Sequence, residues 1–355
     1  MTRNTYLAIA AAMIGLATIS CTKQTSKNTP SQTQQTASQM RHRVMFYNAE
    51  NLFDPFNDSL KRDDEFTPDG SRHWTWTKMT KKVNGIYKTI MALGEIDPPV
   101  LVGMCEIENR IVLKQLTNNT PLERYEYHII HRDSPDSRGI DVALLYRPDR
   151  FKLIEKRFFS VKFPDNPNRK TREILYACGM LGSDTLHVFV NHWPSKFGGE
   201  LESIPGRMAA AHTLRHKVDS IRIFYPQARI LIMGDMNDEP EGTPTTEGLG
   251  ACLNTTDHCP ANLINVSAIL KARGQYSYKY QGVWGIIDHI IVSRSLLRPQ
   301  GLSTSIDRAG VFAPEFLLEE DRTYTGQKPY RTYVGYKYIG GFSDHLPVYI
   351  DLMEH

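Results

Sequence analysis

Short apolar runs that stop at a polar residue recur along this chain. The clearest is residues 230–233, where four apolar side chains lead into Gly234 and then into Asp235, Asn237 and Asp238. A short apolar run bounded by a turn signal is typical of a buried strand in an α/β sheet. Open α/β sheets bind ligands where their strands end, which makes this a candidate site. An Asx-rich turn that satisfies only its own backbone would give the same residues.

The same apolar pattern predicts the other elements of the chain. Strands are expected over residues 43–47, 99–105, 125–131, 140–147, 152–161, 172–180, 185–190, 286–292 and 347–352. A helix is expected over 78–93, where apolar residues recur at helical spacing, and another over 206–224, entered after Pro205. Many strands and few helices indicate a layered α/β fold with much antiparallel pairing.

Composition and charge narrow the class of protein only modestly. The 355 residues are 41% hydrophobic and 23% charged, which is ordinary for a soluble globular protein of one large or two small domains. A net charge of +3 gives no overall basicity that would demand nucleic acid as a partner. Residues 147–172 hold nine Lys or Arg against three Asp or Glu. Such a run is a solvated face or the border of a site for a polyanion.

The N-terminal segment has the pattern of an export signal. Arg3 precedes an apolar segment over 6–19 that is too short to span a bilayer. The segment ends at Cys21, which begins a Ser/Thr/Gln-rich tract, and this resembles a bacterial lipoprotein signal. We therefore predict a signal peptide over 1–20, a lipidated Cys21 with a flexible tether over 21–40, and a catalytic domain over 41–355. Thr18 departs from the usual aliphatic residue, and simple signal-peptide cleavage is the alternative.

The remaining cysteines indicate no zinc site. Cys105 and Cys178 lie in apolar strand-like runs and are expected to behave as small buried hydrophobes. Cys252 and Cys259 flank a polar loop and could close a disulfide in an oxidising envelope compartment. The chain has no Cys-x-x-Cys pair, so a structural zinc site is not expected.

Six of the predicted strands have a chemically capable side chain at one end. These side chains are Asn48, Glu50, Glu106, His192, Asp235, Asn237, Asp288, Asp344 and His345. Carboxylates and amides suit a hard cation, and histidines beside carboxylates suit proton transfer. The set therefore predicts a hard-metal site with acid–base groups.

In this order the motifs resemble those of a known superfamily. They stand as Tyr-Asn-Ala-Glu at 47–50, Glu106, Asn-His-Trp at 191–193, Gly-Asp-Met-Asn at 234–237, Ile-Asp-His at 287–289 and Ser-Asp-His at 343–345. The chain resembles the endonuclease/exonuclease/phosphatase superfamily, which includes DNase I-like nucleases, exonuclease III-like repair enzymes, neutral sphingomyelinases and inositol-polyphosphate 5-phosphatases. The resemblance covers nearly all of residues 41–355. It implies an α/β fold, a four-layer α/β/β/α sandwich of two packed mixed sheets flanked by helices.

The resemblance implies a divalent cation. Mg²⁺ prefers carboxylate oxygens together with water and substrate phosphate, and Mn²⁺ or Ca²⁺ are the alternatives. Glu106 matches the ligand of the superfamily, with Asn48, Glu50 and Asp344 as further ligands, directly or through water. Arg138, just before a predicted strand, could clamp a phosphate bidentately.

The resemblance also implies the catalytic roles. Asp288 and His345 match the superfamily's paired acid and imidazole, in which the carboxylate fixes the tautomer of the ring. Asp235 should orient or deprotonate the attacking water, and Asn237 should hold a non-bridging phosphate oxygen. His192 is expected to protonate the leaving oxygen or to bind phosphate.

Two neighbouring residues are not given catalytic roles. His289 is expected to pack or to hydrogen-bond, because the superfamily pattern uses the adjacent acid. Asp141 falls inside an apolar strand, and no role follows from its position.

Three functions are compatible with the sequence. We favour an exported phosphodiester hydrolase that depends on a divalent metal and acts as a nuclease on DNA or RNA. The basic run over 147–172 favours a nucleic-acid partner, and the apolar hairpin that sphingomyelinase-like members use to enter membranes is not found. The alternative is a phosphodiesterase or phosphatase of a lipid headgroup or small phosphate ester. A non-catalytic binding lipoprotein is disfavoured, because every chemical position holds a competent residue. We expect a monomer in the cell envelope, lipid-anchored to the outer membrane or periplasmic, or at the cell surface.

Overall fold

The computed structural model describes residues 40–256 and 258–355. The predicted signal peptide, Cys21 and the tether up to residue 39 lie outside the described residues. Within the described part of the chain, no helix is long and apolar enough to cross a membrane.

The described chain forms many short strands and four α-helices, numbered here in chain order. The strands are β1 (Met40–Leu52), β2 (Leu101–Ile107), β3 (His128–His131), β4 (Asp141–Tyr146), β5 (Phe151–Phe159), β6 (Ile174–Leu181), β7 (Asp184–His192), β8 (Arg229–Asp235), β9 (Ala251–Cys252), β10 (Leu263–Asn265), β11 (Tyr278–Tyr280), β12 (Val283–Gly285), β13 (Asp288–Ser293), β14 (Leu302–Ser303), β15 (Ala309–Val311), β16 (Leu318–Glu320), β17 (Gln327–Pro329), β18 (Tyr333–Val334), β19 (Lys337–Tyr338) and β20 (Val348–Glu354). The helices are α1 (Trp76–Gly94), α2 (Arg110–Asn118), α3 (Glu200–Phe224) and α4 (Val266–Ala272).

Two seven-stranded mixed sheets form the centre of the fold. In the first sheet the strand order is β14-β20-β1-β2-β4-β3, with β15 also paired to β20. In the second sheet the order is β5-β6-β7-β8-β13-β10-β9. β1 runs parallel to β2, and β7 runs parallel to β8, so these strands end at the same edge of their sheets.

Alternate side chains of the central strands pack into different layers of the core. Val44 and Phe46 of β1 pack into the core between the two sheets, whereas Met45 and Tyr47 pack on the helix side together with residues of α1 and α2. The second sheet packs its outer face against α3. Successive side chains of a strand point to opposite faces, so an apolar strand buried on both sides serves two cores. The predicted four-layer α/β/β/α sandwich is confirmed.

Three helices differ from the sequence-based expectation: α3 begins earlier than expected, and neither α2 nor α4 was predicted. α3 begins at Glu200 rather than after Pro205, which lies inside the helix. The Ser203 hydroxyl donates to the Gly199 carbonyl at 2.6 Å, and Arg207 donates to the Glu200 carbonyl at 3.3 Å. These side-chain donors hold the turns before the proline, which itself cannot donate a backbone hydrogen bond.

Helix α2 was not predicted from the apolar pattern. The Asn109 side chain caps its first turn by accepting from Ile111 N at 2.7 Å and Val112 N at 3.2 Å. Asparagine is a favoured N-cap residue, so Asn109 was the available signal for this helix.

The cysteines follow the expectation except in one pair. Cys105 and Cys178 are buried, as predicted. Cys252 and Cys259 are not joined by a disulfide. The Cys252 thiol donates to the His258 carbonyl at 3.7 Å, and the Cys259 thiol donates to the Leu263 carbonyl at 2.9 Å. The loop disulfide that the sequence left open is therefore not formed in this structure, where each thiol is turned toward a backbone carbonyl.

Gly234 gives a test of how closely β7 and β8 approach at the end that carries Asp235. A Cβ atom at Gly234 would lie 2.5 Å from the Asn191 carbonyl oxygen of β7. Gly234→Ala should therefore lower the free energy of unfolding by about 1–3 kcal/mol, measured by urea denaturation.

Gly103→Ala is the matched control, because its Cβ would meet only the flexible end of Met233, at 2.8 Å. Gly103→Ala should lower the free energy of unfolding by less than Gly234→Ala does. Equal stability of Gly234→Ala and the wild type would contradict the close approach.

Candidate active site

Three strand ends of the second sheet form one row of polar side chains. Asp235 of β8 is the central residue of this row. It lies opposite His192 of β7 on one side and opposite Asp288 of β13 on the other. Leu231 and Met233 face the core between the sheets, and Asp235 is the next position on that face. The row is therefore the polar end of the inter-sheet core.

Asn48 joins the first sheet to this row. It follows Val44 and Phe46 on the inter-sheet face of β1, and its side chain is 1% exposed. Its Nδ2 atom donates to Asp235 Oδ2 at 3.0 Å and lies 3.4 Å from His345 Nε2. One amide thus contacts both proposed acid–base residues.

The predicted pair of Asp288 and His345 is brought together. Asp288 Oδ2 lies 2.8 Å from His345 Nδ1 and also accepts from the Ser277 hydroxyl at 2.6 Å. The rings of Tyr278 and His345 have centroids 4.7 Å apart. The Ser343 hydroxyl accepts from His345 N at 3.1 Å and donates to the Asn48 carbonyl at 2.8 Å, which fixes the turn that carries the histidine.

The electrostatics of this pair favour a protonated imidazole. Burial lowers the pKa of His345, but the carboxylates of Asp288, Asp344 and Asp235 together raise it well above the ordinary value. The Asp288 carboxylate therefore orients the ring through Nδ1 and stabilises its protonated form.

Asp235 has the proton affinity of a general base near neutral pH. Burial raises its pKa to about 7, against the opposing effects of His345 and of the hydrogen bond from Asn237 N. That hydrogen bond reaches Asp235 Oδ1 at 2.8 Å. A base with a pKa near the working pH transfers protons efficiently in both directions.

His192 has the opposite electrostatic character. Burial lowers its pKa well below the ordinary value, and the charges of Arg172 and Arg138 lower it further. Its Nε2 atom lies 3.8 Å from Asp235 Oδ2, and its buried Nδ1 atom has no hydrogen-bond partner among the described residues. His192 is therefore a neutral ring whose Nε2 atom faces Asp235.

Asn237 lies beside His192. It has a φ of 51°, and its Nδ2 atom donates to the Trp193 carbonyl at 3.0 Å. Arg172 donates to the same carbonyl at 2.8 Å. A left-handed asparagine is tolerated more readily than most residues, and it turns the chain away from β8 directly after Asp235.

A bulge sets the direction of Glu106. The pairing of β2 with both neighbours is irregular between Cys105 and Ile107, and Glu106 has a φ of 59°. The carboxylate turns back along the edge of the sheet, where its Oε2 atom accepts from Asn51 N at 2.9 Å. Bulges commonly aim a side chain into an active site.

Glu50 and Asp344 are held by an arginine. Arg331 donates from Nε to Glu50 Oε1 at 3.2 Å and from an Nη atom to Asp344 Oδ2 at 3.0 Å. The second Glu50 oxygen accepts from Thr332 N at 2.6 Å and lies 3.8 Å from Lys82 Nζ. Both oxygens of Glu50 already have donors, so its role as a direct metal ligand stays a prediction that competes with this ion pair.

The residues present fit a divalent cation. Glu106, Asp344 and Asn48 offer the carboxylate and amide oxygens that Mg²⁺ prefers. Donor atoms of Asp235, Asp288 and His345 lie within 4.8 Å of one another, as do those of Cys105, His192 and Asp235. Asp288 Oδ1 is buried without a hydrogen-bond partner in the part of the chain described here. A cation would compensate this concentration of negative charge.

The remaining predictions fall at the margins of the site. Arg138 lies on the loop between β3 and β4, with 46% of its side chain exposed, and its charge acts on the pKa of His192. Its phosphate-binding role stays a prediction. His289 is fully buried and lies 3.2 Å from the Ile286 carbonyl and 3.3 Å from Asn265, in agreement with the packing role expected for it.

Sequence reasoning missed three residues of the site. Ser277 donates to Asp288. Arg172 donates to the Trp193 carbonyl, which also binds Asn237. Arg331 donates to both Glu50 and Asp344. All three lie outside the named strands and helices. No predicted strand end fell on Ser277 or Arg331. Arg172 was the one readable signal, because it is the first residue of the strand predicted over 172–180.

The layered fold and the carboxylate–imidazole centre define a phosphoric ester hydrolase. The Endonuclease/Exonuclease/phosphatase family matches residues 43–354, and the chain belongs to it. Members of this family hydrolyse phosphoric esters, and the resemblance inferred from the motifs is confirmed. No curated protein sequence matches the chain closely.

Solved structures share the fold at low sequence identity. TDP2 of D. rerio, complexed with a single-strand DNA product, is 15% identical with a TM-score of 0.54, covering 88% of this chain and 98% of that one. The human Nocturnin catalytic domain with bound sulfate is 17% identical with a TM-score of 0.52, covering 89% and 95%. A Bacteroides thetaiotaomicron mannosyl-6-phosphatase is 18% identical with a TM-score of 0.53, covering 88% and 99%.

The contact between Asp288 and His345 predicts strong non-additivity. His345→Ala should reduce kcat on the order of a thousandfold or more, and adding Asp288→Asn should cost little further, because the carboxylate acts through the ring. Asp288→Asn alone should cost less than His345→Ala. The measurement is kcat on a chromogenic phosphodiester at saturating Mg²⁺.

His212→Ala, on the exposed face of α3, is the control and should leave kcat unchanged. Losses that simply multiply in the double variant would show that the two residues act independently.

Proposed function

We propose that this protein is a divalent-metal-dependent phosphodiesterase that cleaves nucleic acid. The observation that carries the proposal is the single centre formed by Asn48, Asp235, Asp288 and His345, with His192 beside it. This set can position a water, neutralise a phosphate and move a proton at neighbouring atoms. The bound cation would supply charge neutralisation on the phosphoryl oxygens, held by Glu106 with Asn48 and Asp344.

The residues divide the work according to their proton affinities. Asp235, with a pKa near 7, orients the attacking water and accepts its proton. The imidazolium of His345, held by Asp288, stabilises the negative charge that develops on the phosphate. Asn237 and the neutral His192 bind non-bridging oxygens. A neutral His192 is a poor acid, which favours its phosphate-binding role over protonation of the leaving oxygen.

A basic loop beside this centre supports a polyanionic substrate. Residues 160–173 join β5 to β6, and Leu175 of β6 pairs with Val190, two positions before His192. The loop therefore lies at the active-site end of the second sheet. Its exposed cations are Lys162, Arg169 and Lys170.

Two arginines at the start of the basic run are not available to a nucleic acid. Arg147 forms ion pairs with Asp97 and Asp149, and Arg150 lies 3.2 Å from Asp97. These arginines precede β5 and are neutralised by their neighbours. Lys152 and Lys156 of β5 are exposed as well, so the cations next to the catalytic row are one part of the charge available to a phosphate backbone.

The test compares a polymer with a small ester. Arg169→Ala combined with Lys170→Ala should raise KM for plasmid or single-stranded DNA several-fold and reduce its salt dependence, because two phosphate contacts are lost. The same variant should hydrolyse bis-nitrophenyl phosphate at the wild-type rate. The nuclease proposal would be rejected if the variant lost activity equally on DNA and on bis-nitrophenyl phosphate. It would also be rejected if the wild type did not cleave DNA with Mg²⁺.

Glu106→Gln serves as the control for the chemistry itself. It should reduce the rate on both substrates on the order of a hundredfold while the protein stays folded, as should EDTA. Full activity under either condition would contradict the metal requirement.

A small phosphate ester is the second candidate substrate. A cavity of about 160 Å³ lies beside the centre, lined by Glu50, Arg72, Trp74, Arg331 and neighbouring residues. Arginines with an aromatic wall can bind a phosphorylated polar molecule of limited size. The similar fold of the mannosyl-6-phosphatase is compatible with this candidate. Hydrolysis of sugar phosphates, inositol phosphates or sphingomyelin in place of nucleic acid would favour it.

We also propose that the protein is exported and anchored in the cell envelope through Cys21. The supporting pattern is the apolar segment over 6–19 that ends next to Cys21. Native protein should partition with membranes, and Cys21→Ser should not be processed to the lipidated form, since the several acyl chains of a bacterial lipoprotein anchor stably. Fractionation and mass spectrometry of the mature N-terminus provide the measurement. Native protein found wholly in the soluble envelope fraction would leave only simple export.

A further inference from the structure

A second cluster of ligand-type side chains lies at the outer edge of the first sheet. His131 is the last residue of β3, and Asp141 is the first residue of β4. The two strands are antiparallel, and His131 pairs with Ala143, so His131 and Asp141 are diagonal neighbours on one face. Ala143 packs in the helix-side core, whereas the catalytic row continues the inter-sheet core. The sheet itself separates this cluster from the catalytic centre.

Two polar atoms in the cluster are buried and face each other without a hydrogen bond. The His131 and Asp141 side chains are each 2% exposed, with His131 Nε2 3.7 Å from Asp141 Oδ2. That distance is too long for a direct hydrogen bond. Neither atom has a hydrogen-bond partner anywhere in residues 40–256 or 258–355. Buried polar atoms left unpaired cost free energy, so this pair points to a bound species between them.

The direction of the carboxylate is fixed, and a third ligand lies nearby. Asp141 Oδ1 accepts from Ser134 N at 3.0 Å, which leaves Oδ2 facing the histidine. Asp133 Oδ1 lies 3.8 Å from His131 Nδ1, and its side chain is 72% exposed. Ligand atoms of His131, Asp133 and Asp141 lie within 4.8 Å of one another. Because the contact of Asp133 is to the other ring nitrogen, its exposed side chain must turn toward Nε2 to share a cation with Asp141.

We propose that His131, Asp133 and Asp141 bind a divalent transition-metal cation, with water completing its coordination. An imidazole with two carboxylates suits a cation such as Zn²⁺ or Mn²⁺ better than Mg²⁺, which prefers oxygen ligands alone. Nitrogen and oxygen ligands about 2.1 Å from a tetrahedral ion lie roughly 3.4 Å apart. The observed 3.7 Å needs a closure of only a few tenths of an ångström.

The cation would brace the loop that carries Arg138 toward the catalytic centre. The loop between β3 and β4 begins next to His131 and ends at Asp141, so a cation held by both closes its base. Within the loop, Asp136 Oδ2 accepts from Arg172 at 3.2 Å, and Lys61 donates to the Ser134 and Asp136 carbonyls. The role of the cation is therefore structural.

The test measures metal binding rather than activity. Purified protein is stripped with chelator, returned to excess Mg²⁺ and titrated with Zn²⁺ by calorimetry, with the melting temperature followed in parallel. Asp133→Ala should weaken one Zn²⁺ site at least about tenfold, and His131→Ala should remove it, because each loses a ligand. Both should lose the rise in melting temperature that Zn²⁺ gives the wild type.

Two controls separate this site from other zinc-binding positions. His212 and His216 are exposed one turn apart on α3 and could bind Zn²⁺ together, and His216→Ala should remove that binding while keeping the site at His131. Glu106→Gln disturbs the catalytic centre and should keep the site. Asp133 is exposed, so Asp133→Ala keeps the proposal testable even if His131→Ala fails to fold.

Unchanged Zn²⁺ stoichiometry and affinity in Asp133→Ala and His131→Ala would overturn the proposal. The proposal would also be overturned if the wild type bound Zn²⁺ at a single site and Glu106→Gln lost that site. Either result would assign the gap between His131 and Asp141 to a bridging water.

Discussion

The site depends on the hydrogen bond that the Asn48 amide makes across the sandwich to Asp235. It joins the ends of β1 and β8, which belong to different sheets, and the same amide nitrogen lies 3.4 Å from His345. A one-residue slip in either strand would turn its polar end away from the inter-sheet space and replace it with an apolar residue. The apolar packing between the sheets therefore sets the register that the chemistry requires.

The network around this hydrogen bond concentrates like charges in a buried space. Asp235 and Asp288 occupy directly paired positions on neighbouring strands, where two carboxylates repel each other. The His345 ring lies between them and the first sheet, and Arg331 with the buried Lys82 balances Glu50 and Asp344. Burial lowers the pKa of Lys82, and Glu50 opposes that shift. Removing one member of such a network leaves another buried charge uncompensated, which costs more than the pair itself contributes.

The sequence predicted the strand ends because alternation and apolar runs are local signals. His192, Asp235 and Asp288 could be assigned to one site for that reason. The carboxylate of Glu106 is aimed by a bulge with a φ of 59°, a conformation that a glutamate does not signal. Arg331 and Ser277 come from irregular segments, where no periodicity relates a residue to its partner, whether Asp288 is 11 positions from Ser277 or Glu50 is 281 positions from Arg331. The absent disulfide has the same cause, since spacing does not show which way a thiol turns.

The candidate active site is completed by the last strand of the chain, because β20 pairs with β1. β20 pairs with β1 and β14, and His345 precedes it, 297 positions after Asn48, which it meets in the folded protein. A nascent chain that has already formed β1 to β13 still lacks the imidazole and a central strand of the first sheet. Contacts between such distant positions form late and slowly. A nascent chain that ends before His345 therefore cannot form the complete centre, which arises only when the last strand joins the first sheet.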